Sequence, residues 1–182
     1  MPAEDGILIA RVVAENDHRA FAQLVNRHQS KLRYSLRQLT GWDEALADDL
    51  AQETFIKVYN ALESFRGDAN FATWLYRIAY NCFAAHMRTQ KPMQQLDEKM
   101  LEDQSYDAGT AQMLHRDFAA ALQQLPEDQR VALHLYLQRE LTHREIADIM
   151  NCPLGTAKSH IQRGRRKLRS LLGSWQPVEA NQ

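Results

Sequence analysis

Residues 142–169 constrain the fold more than any other part of the chain, because their pattern predicts two helices separated by a short turn. Thr142 followed by Glu145 forms a capping box, which typically begins a helix. Pro153 lacks an amide proton and disfavours a helical conformation in its predecessor, so the surrounding NCPLG sequence is predicted to be the turn. Thr156 is predicted to cap the second helix. The whole segment is therefore typical of a helix-turn-helix.

The predicted second helix divides into an apolar side and a cationic side. Four small or apolar residues recur at helical spacing, namely Ala157, Ile161, Gly164 and Leu168. Residues 155–172 contain six Lys or Arg and no acid, although the whole chain has a net charge of −1. The helix dipole would favour cations such as Lys167 and Arg169 at the C-terminal end, but it disfavours Lys158 near the start. The pattern therefore predicts a helix that enters the major groove of DNA.

The rest of the chain is also predicted to be helical, with almost no strand pattern. Helical periodicity runs through four stretches, residues 5–39, 43–63, 71–88 and about 112 onward. Residues 91–112 have two basic and five acidic residues, a Pro, a Gly and little periodicity, which is typical of a flexible linker. We therefore expect an all-α protein in which a linker joins two small helical domains, residues 5–90 and 113–173.

Composition excludes several classes of protein. Hydrophobic residues make up 45% and charged residues 25% of the 182, as in ordinary soluble proteins, and no apolar run is long enough to span a bilayer. Without a signal-peptide pattern, and with Cys82 and Cys152 far apart, we expect reduced structural thiols in a cytoplasmic protein. His134, His143 and His160 are spaced by nine and seventeen residues, which fits no compact metal motif. No metal or other cofactor is predicted.

The predicted helix over residues 43–63 has an acidic side opposite its apolar one. The apolar side is expected to contain Ala51, Phe55, Val58, Tyr59 and Leu62. The polar side is expected to contain Asp48, Asp49, Gln52, Glu53, Lys57 and Asn60. Acids in the first half of a helix complement its dipole, so a solvated surface explains them. A docking surface for a positively charged partner is the alternative, and composition alone favours the solvated surface.

The next predicted helix, residues 71–88, follows a loop in which Gly67 ends the preceding helix and Asp68 or Asn70 supplies a cap. Its core side is expected to contain Phe71, Leu75, Ile78, Ala79 and Cys82. A second side, predicted to be exposed, contains Trp74, Arg77, Asn81 and Arg88. Aromatic and cationic side chains on one exposed surface are typical of a site that stacks single-stranded bases. Core packing of the aromatic residues is the alternative.

Three segments of the chain together resemble a known family. These segments are DDLAQETFIKVYNAL, FRGDANFATWLYRIAYN and LPEDQRVALHLYLQRELTHREIADIMNCPLGTAKSHIQRGRRKL. They are similar, in the expected order, to an extracytoplasmic-function (ECF) sigma factor of bacterial RNA polymerase, in group IV of the sigma-70 family. The resemblance covers both predicted domains and implies sigma region 2 followed by sigma region 4. It implies a transcription initiation factor without enzymatic activity or a small-molecule substrate.

The resemblance also implies roles for individual residues. Contact with the β′ coiled coil of core polymerase is implied for Asp48, Asp49, Gln52 and Glu53. Melting and capture of the −10 promoter element are implied for Phe65, Arg66, Gly67, Asp68, Ala69, Asn70, Phe71, Trp74, Arg77 and Asn81. Reading of the −35 element is implied for Lys158, Ser159, Gln162 and Arg163. Phosphate contacts in the same duplex are expected for Arg165, Arg166 and Arg169.

Further partners follow from the same resemblance. They are the β flap of the polymerase and an anti-sigma factor, often membrane-anchored, that would hold the protein at the inner membrane of a bacterium until a stress signal arrives. The linker is expected to thread near the active-centre and RNA-exit channels. The chain departs from the family at Ala157, where Val is usual, and at His160, where Arg is common. His143 and Arg144 replace an aromatic–acid pair, so the promoter sequence stays open.

Two other functions remain open from the residues themselves. A free-standing helix-turn-helix regulator would use residues 5–90 for sensing or dimerisation and would bind duplex operator DNA without polymerase. A small helical enzyme would need a convergent set of titratable residues, and no spacing in this chain favours one. The acidic DDLAQE sequence discriminates between the first alternative and a sigma factor, because only a polymerase subunit needs it.

Overall fold

The computed structural model describes residues 2–90 and 118–173, and every regular element in these ranges is a helix. The chain divides into two compact units, one made mainly of the first 99 residues and the other mainly of the remainder. The predicted all-α fold class is therefore confirmed. The predicted linker, residues 91–112, lies outside the described residues.

The described part of the N-terminal unit, residues 2–90, contains four helices and one short 3-10 turn. They are α1 (Pro2–Glu15), α2 (His18–Leu39), α3 (Glu44–Ala61), the turn Leu62–Ser64 and α4 (Phe71–Gln90). The single periodic stretch predicted for residues 5–39 is two helices, because Asn16 adopts a φ of 51° and breaks the first. Asp17 then caps α2, since its Oδ1 accepts from the amides of Arg19 at 2.9 Å and Ala20 at 3.0 Å.

The core of this unit is built from the apolar sides of α2, α3 and α4. Its most buried large side chains include Leu24, Leu32, Leu36, Val58, Leu75 and Phe83. Each contributes about 1.5–3 kcal/mol through removal of apolar surface from water. Charged side chains link helix α1 to helix α2. Asp5 accepts from Arg27 at 3.2 Å and pairs with His28 at 3.0 Å, and Glu4 also pairs with Arg27.

The C-terminal unit contains the predicted helix-turn-helix. After helical residues 118–123, its helices are α5 (Glu127–Gln138), α6 (His143–Ile149) and α7 (Leu154–Leu172). The predicted capping box at the start of α6 is confirmed. The Thr142 amide donates to Glu145 Oε2 at 2.9 Å, and the Glu145 amide donates to Thr142 Oγ1 at 3.3 Å.

The turn between α6 and α7 is shorter than the sequence indicated. Asn151 has a φ of 48°, and Pro153 itself is the N-cap of α7. The prediction that Thr156 caps this helix is therefore wrong, and Gly155 lies inside the first turn of the helix. Proline suits the boundary because its carbonyl still accepts, here from the amides of Thr156 at 2.9 Å and Ala157 at 3.1 Å.

The buried side of α7 packs on α5, as the spacing of its apolar residues predicted. Ala157, Ile161, Gly164 and Leu168 are all buried. Gly164 allows the closest approach, because a Cβ at this position would lie 3.2 Å from the backbone oxygen of Gln129. The same core contains the imidazole of His134, which is 1% exposed and has no hydrogen-bond partner at either ring nitrogen among residues 2–90 and 118–173.

Candidate nucleic-acid and partner interfaces

The exposed side of α7 is cationic along most of its length. Its solvent-exposed residues include Lys158, Gln162, Arg163, Arg165, Arg166 and Arg169, with Ser159 half-buried. The predicted separation of an apolar and a cationic side is therefore present. A rigid helix in this arrangement can present donors to base edges and phosphates together. Whether these seven residues contact DNA remains a prediction.

A groove runs along this cationic side and reaches α6. Its lining residues are His143, Lys158, Ile161, Gln162, Arg165, Arg166 and Arg169. His143 belongs to α6, and its ring packs on Tyr136 of α5 with centroids 5.2 Å apart. His143 is not among the DNA-binding residues that the sequence predicts. The signal available in the sequence was the position of His143 directly after the capping residue Thr142. The start of a helix determines the direction in which the side chain of its first residue points.

The loop between the 3-10 turn and α4 presents most of its predicted −10 residues to solvent. Arg66, Gly67, Asp68, Ala69 and Asn70 are exposed, whereas Phe65 is half-buried. Gly67 has a φ of 75°, a conformation that a side chain would strain. The predicted cap at the start of α4 is Asn70, whose Oδ1 accepts from the Ala72 amide at 2.9 Å.

Beneath this loop lies a cluster of three aromatic rings. Ring centroids are 5.1 Å apart for Phe65 and Trp74, 5.8 Å for Phe65 and Phe71, and 5.9 Å for Phe71 and Trp74. Phe71 is 4% and Trp74 9% exposed, so the prediction that Trp74 shares an exposed surface with Arg77 and Asn81 is wrong. A four-helix unit has little core, and the indole supplies a large part of it. Arg77 and Asn81 are exposed as predicted.

The acidic side of α3 is partly exposed to solvent, and some of its carboxylates pair with basic side chains. Asp49, Gln52 and Glu53 are exposed, and Glu53 pairs with Lys57 at 2.7 Å. This hydrogen bond raises the pKa of the Lys57 ammonium group. Asp48 is half-buried and faces two arginines of α2. Its carboxylate oxygens lie 3.7 Å from Arg33 Nη1 and 3.9 Å from Arg37 Nη2.

An apolar groove next to this acidic side was missed by the sequence analysis. It lies between α2 and α3, and its lining includes Phe21, Val25, Gln52, Phe55, Ile56 and Tyr59. Ile56 is 55% exposed and adds apolar surface to this groove. The signal available in the sequence was Ile56, because it directly follows Phe55 and so widens the apolar side of α3.

The imidazole of His134 and the thiols of both cysteines are fully or partly buried. Burial lowers the pKa of the His134 imidazole to about 3, with a smaller contribution from the charge of Arg139. Burial also raises the pKa of the Cys152 thiol, and Cys82 is buried. Within residues 2–90 and 118–173 no cluster of His, Cys, Asp or Glu could hold a metal ion. No helix in these ranges is both long enough and apolar enough to cross a membrane.

Comparison with known proteins identifies both units. The family model described as Sigma-70 region 2 matches residues 24–92, and the model described as Sigma-70, region 4 matches residues 115–168. The chain is 35% identical over 178 residues to the ECF RNA polymerase sigma-E factor of Haemophilus influenzae, covering 90% of this chain and 93% of that protein. It is 37% identical over 179 residues to the RNA polymerase sigma-H factor of Pseudomonas aeruginosa, covering 91% and 92%.

A solved structure has a similar fold. The sigma factor RpoE from Bartonella quintana, in complex with the anti-sigma factor NepR, superposes with a TM-score of 0.72 and is 30% identical. The similarity covers 86% of this chain and 98% of that one. The matched regions include both units, rather than the helix-turn-helix alone.

Proposed function

Because the chain belongs to the ECF sigma factors of bacterial RNA polymerase, we propose that the surfaces described above bind core polymerase and promoter DNA as separate parts of one initiation factor. The factor brings polymerase to the −35 and −10 elements and promotes strand opening, while RNA synthesis belongs to the polymerase. A free-standing regulator would not need a sigma region 2, whose family model matches residues 24–92. The observation that carries the proposal is the exposed cationic side of α7.

In the proposed −35 complex, α7 lies in the major groove with the start of the helix deepest. Lys158, Gln162 and Arg163 are exposed and suit base edges, since Lys or Arg recognises guanine and Gln recognises adenine. The phosphate contacts come from Arg165, Arg166 and Arg169, which fix the register without reading sequence. Each lost phosphate contact is expected to reduce the slope of log affinity against log salt by about 0.9.

In the proposed −10 complex, the exposed loop captures a non-template base. Phe65 lies at the surface edge of the aromatic cluster, so a base flipped from the duplex can stack there while Phe71 and Trp74 support it from below. Unstacking a base costs a few kcal/mol, and stacking on an aromatic ring returns about 1–3 kcal/mol. Arg77 and Asn81 on α4 supply exposed polar groups for the adjacent strand.

In the proposed holoenzyme, α3 binds the β′ coiled coil. Asp49, Gln52 and Glu53 supply exposed polar groups, and the adjacent apolar groove with Ile56 supplies contact area. Asp48 is the fourth residue of this proposed contact, and its carboxylate also pairs with Arg33 and Arg37 of α2. The β flap is the proposed contact of the C-terminal unit.

Regulation by an anti-sigma factor completes the proposal. The Bartonella relative was solved with such a partner. We expect a cytoplasmic protein that a membrane-anchored anti-sigma factor retains at the inner membrane by covering its polymerase-binding surface.

Reversing charge on α3 tests the polymerase contact. We expect Asp49→Arg and Glu53→Arg to weaken binding of the labelled chain to purified core polymerase at least tenfold, because like charges then meet at the interface. Glu15→Arg, an equally exposed acid at the end of α1, is the matched control and should bind normally. Circular dichroism checks that each variant keeps its helices. Normal holoenzyme assembly by both α3 variants would refute the assignment.

A further inference from the structure

The cationic groove of the C-terminal unit is lined by one residue that does not belong to α7. One wall consists of α7 cations, and the other is the half-buried ring of His143 at the start of α6. Packing on Tyr136, with ring planes tilted by 37°, limits the positions that this imidazole can adopt. The groove is therefore lined by a packed imidazole ring as well as by the cations of α7.

The charges around His143 determine what this ring can do. Groups facing it from the helices packed against α6 are Tyr136 on α5 and Lys158, Arg165, Arg166 and Arg169 on α7. Its own helix adds exposed Arg144, and Glu145, whose carboxylate is occupied by the capping box. A DNA phosphate held among the four cations attracts a proton to the ring, because an opposite charge favours the ionised form.

We propose that His143 donates a hydrogen bond to a backbone phosphate of the −35 duplex and takes up a proton as the DNA binds, so that promoter binding strengthens as the pH falls. This inference rests on the proposed role of α7 in binding that duplex. An imidazole changes charge between about pH 5 and 8, whereas lysine and arginine remain cationic throughout. His143 thus adds a contact to the groove whose strength depends on acidity.

The test uses the full chain assembled with core polymerase and a promoter fragment selected from random duplex DNA. Affinity is measured at about pH 6 and about pH 8, over a range of salt concentrations. His143→Phe keeps a ring against Tyr136 but has no donor, and His143→Arg carries a permanent charge. Arg144→Gln is the matched control, because it removes a neighbouring charge that does not line the groove.

The inference predicts different responses from these variants. Relative to the unaltered chain, His143→Phe should bind about three- to tenfold more weakly at the lower pH and within twofold at the higher, and its salt slope at the lower pH should fall by about one. The His143→Arg variant should bind the promoter equally well at the lower and the higher pH. The ratio of promoter affinities between the Arg144→Gln variant and the unaltered chain should not change with pH.

Two negative results have distinct meanings. If Arg165→Gln weakens promoter binding but the His143→Phe ratio is the same at both pH values, the role of His143 is refuted and the function of α7 stands. If the unaltered holoenzyme shows no specific promoter binding, or if Arg165→Gln and Arg166→Gln leave it unchanged, the proposed function of α7 fails and the inference fails with it.

Discussion

Replacing His134 with leucine is expected to stabilise the C-terminal unit and to reduce its sensitivity to acid. The imidazole is 1% exposed, and neither ring nitrogen has a hydrogen-bond partner in the described residues. A buried polar group without a partner costs about 1–3 kcal/mol, and leucine fills a similar volume without that cost. We therefore expect His134→Leu to raise the free energy of unfolding by about 1–3 kcal/mol at neutral pH.

The pH dependence has a definite sign. The pKa of His134 is lowered to about 3 in the folded chain by burial, against about 6.5 when unfolded. The unfolded state thus binds a proton first, and stability falls as the pH drops below about 6.5 toward about 3. From about pH 7 to pH 5 this contributes a loss of about 2 kcal/mol, and His134→Leu should lack that loss.

Hydrogen exchange measured by mass spectrometry on the full chain can isolate this unit. Peptides from α5 report the opening free energy of its core at each pH, separately from the N-terminal unit. The difference between His134→Leu and the unaltered chain should grow by about 2 kcal/mol from about pH 7 to pH 5. The same difference at both pH values would mean that His134 is solvated or hydrogen-bonded in solution, which would refute the reasoning.

Four further substitutions test the packing and the capping of the helix-turn-helix, with the same hydrogen-exchange readout. Gly164→Ala should destabilise the unit by about 1 kcal/mol, since overpacking against the Gln129 backbone at 3.2 Å outweighs the gain in helix propensity. Gly155→Ala, which meets nothing within 4 Å, should instead stabilise it by about 0.5–1 kcal/mol, and equal effects of the two would contradict the packing described. Thr142→Ala should lower the free energy of unfolding by about 1 kcal/mol, because it removes the cap of α6, and Glu145→Ala should have the same effect. If neither variant is less stable than the unaltered chain, the capping box does not stabilise α6.

Sequence patterns predicted the helices and the buried side of α7 because those features depend on local chemistry. The capping box at Thr142 and the apolar spacing from Ala157 to Leu168 involve neighbours within one or two turns. The start of α7 was misplaced for an equally local reason. The sequence pattern predicts that Pro153 breaks a helix, but proline also suits the boundary where a helix begins.

Features set by tertiary packing could not be predicted in the same way. Trp74 was expected to be exposed because a helical pattern separates one apolar side from the rest. Helix α4 packs against both α2 and α3, and the loop carrying Phe65 covers a further side. The pairing of Asp48 with Arg33 and Arg37 likewise depends on how α2 and α3 pack together, which spacing along the chain does not show.

Run-off transcription tests the central claim most directly. Purified bacterial core polymerase is incubated with fragmented DNA from the source organism, with and without the chain, and with the Asp49→Arg and Arg163→Ala variants. The account predicts discrete transcripts that require the chain and that both variants strongly reduce. Alignment of the upstream sequences should then give a −35 and a −10 element. No transcripts, together with specific binding of duplex DNA by the chain alone, would contradict the account and indicate a free-standing regulator.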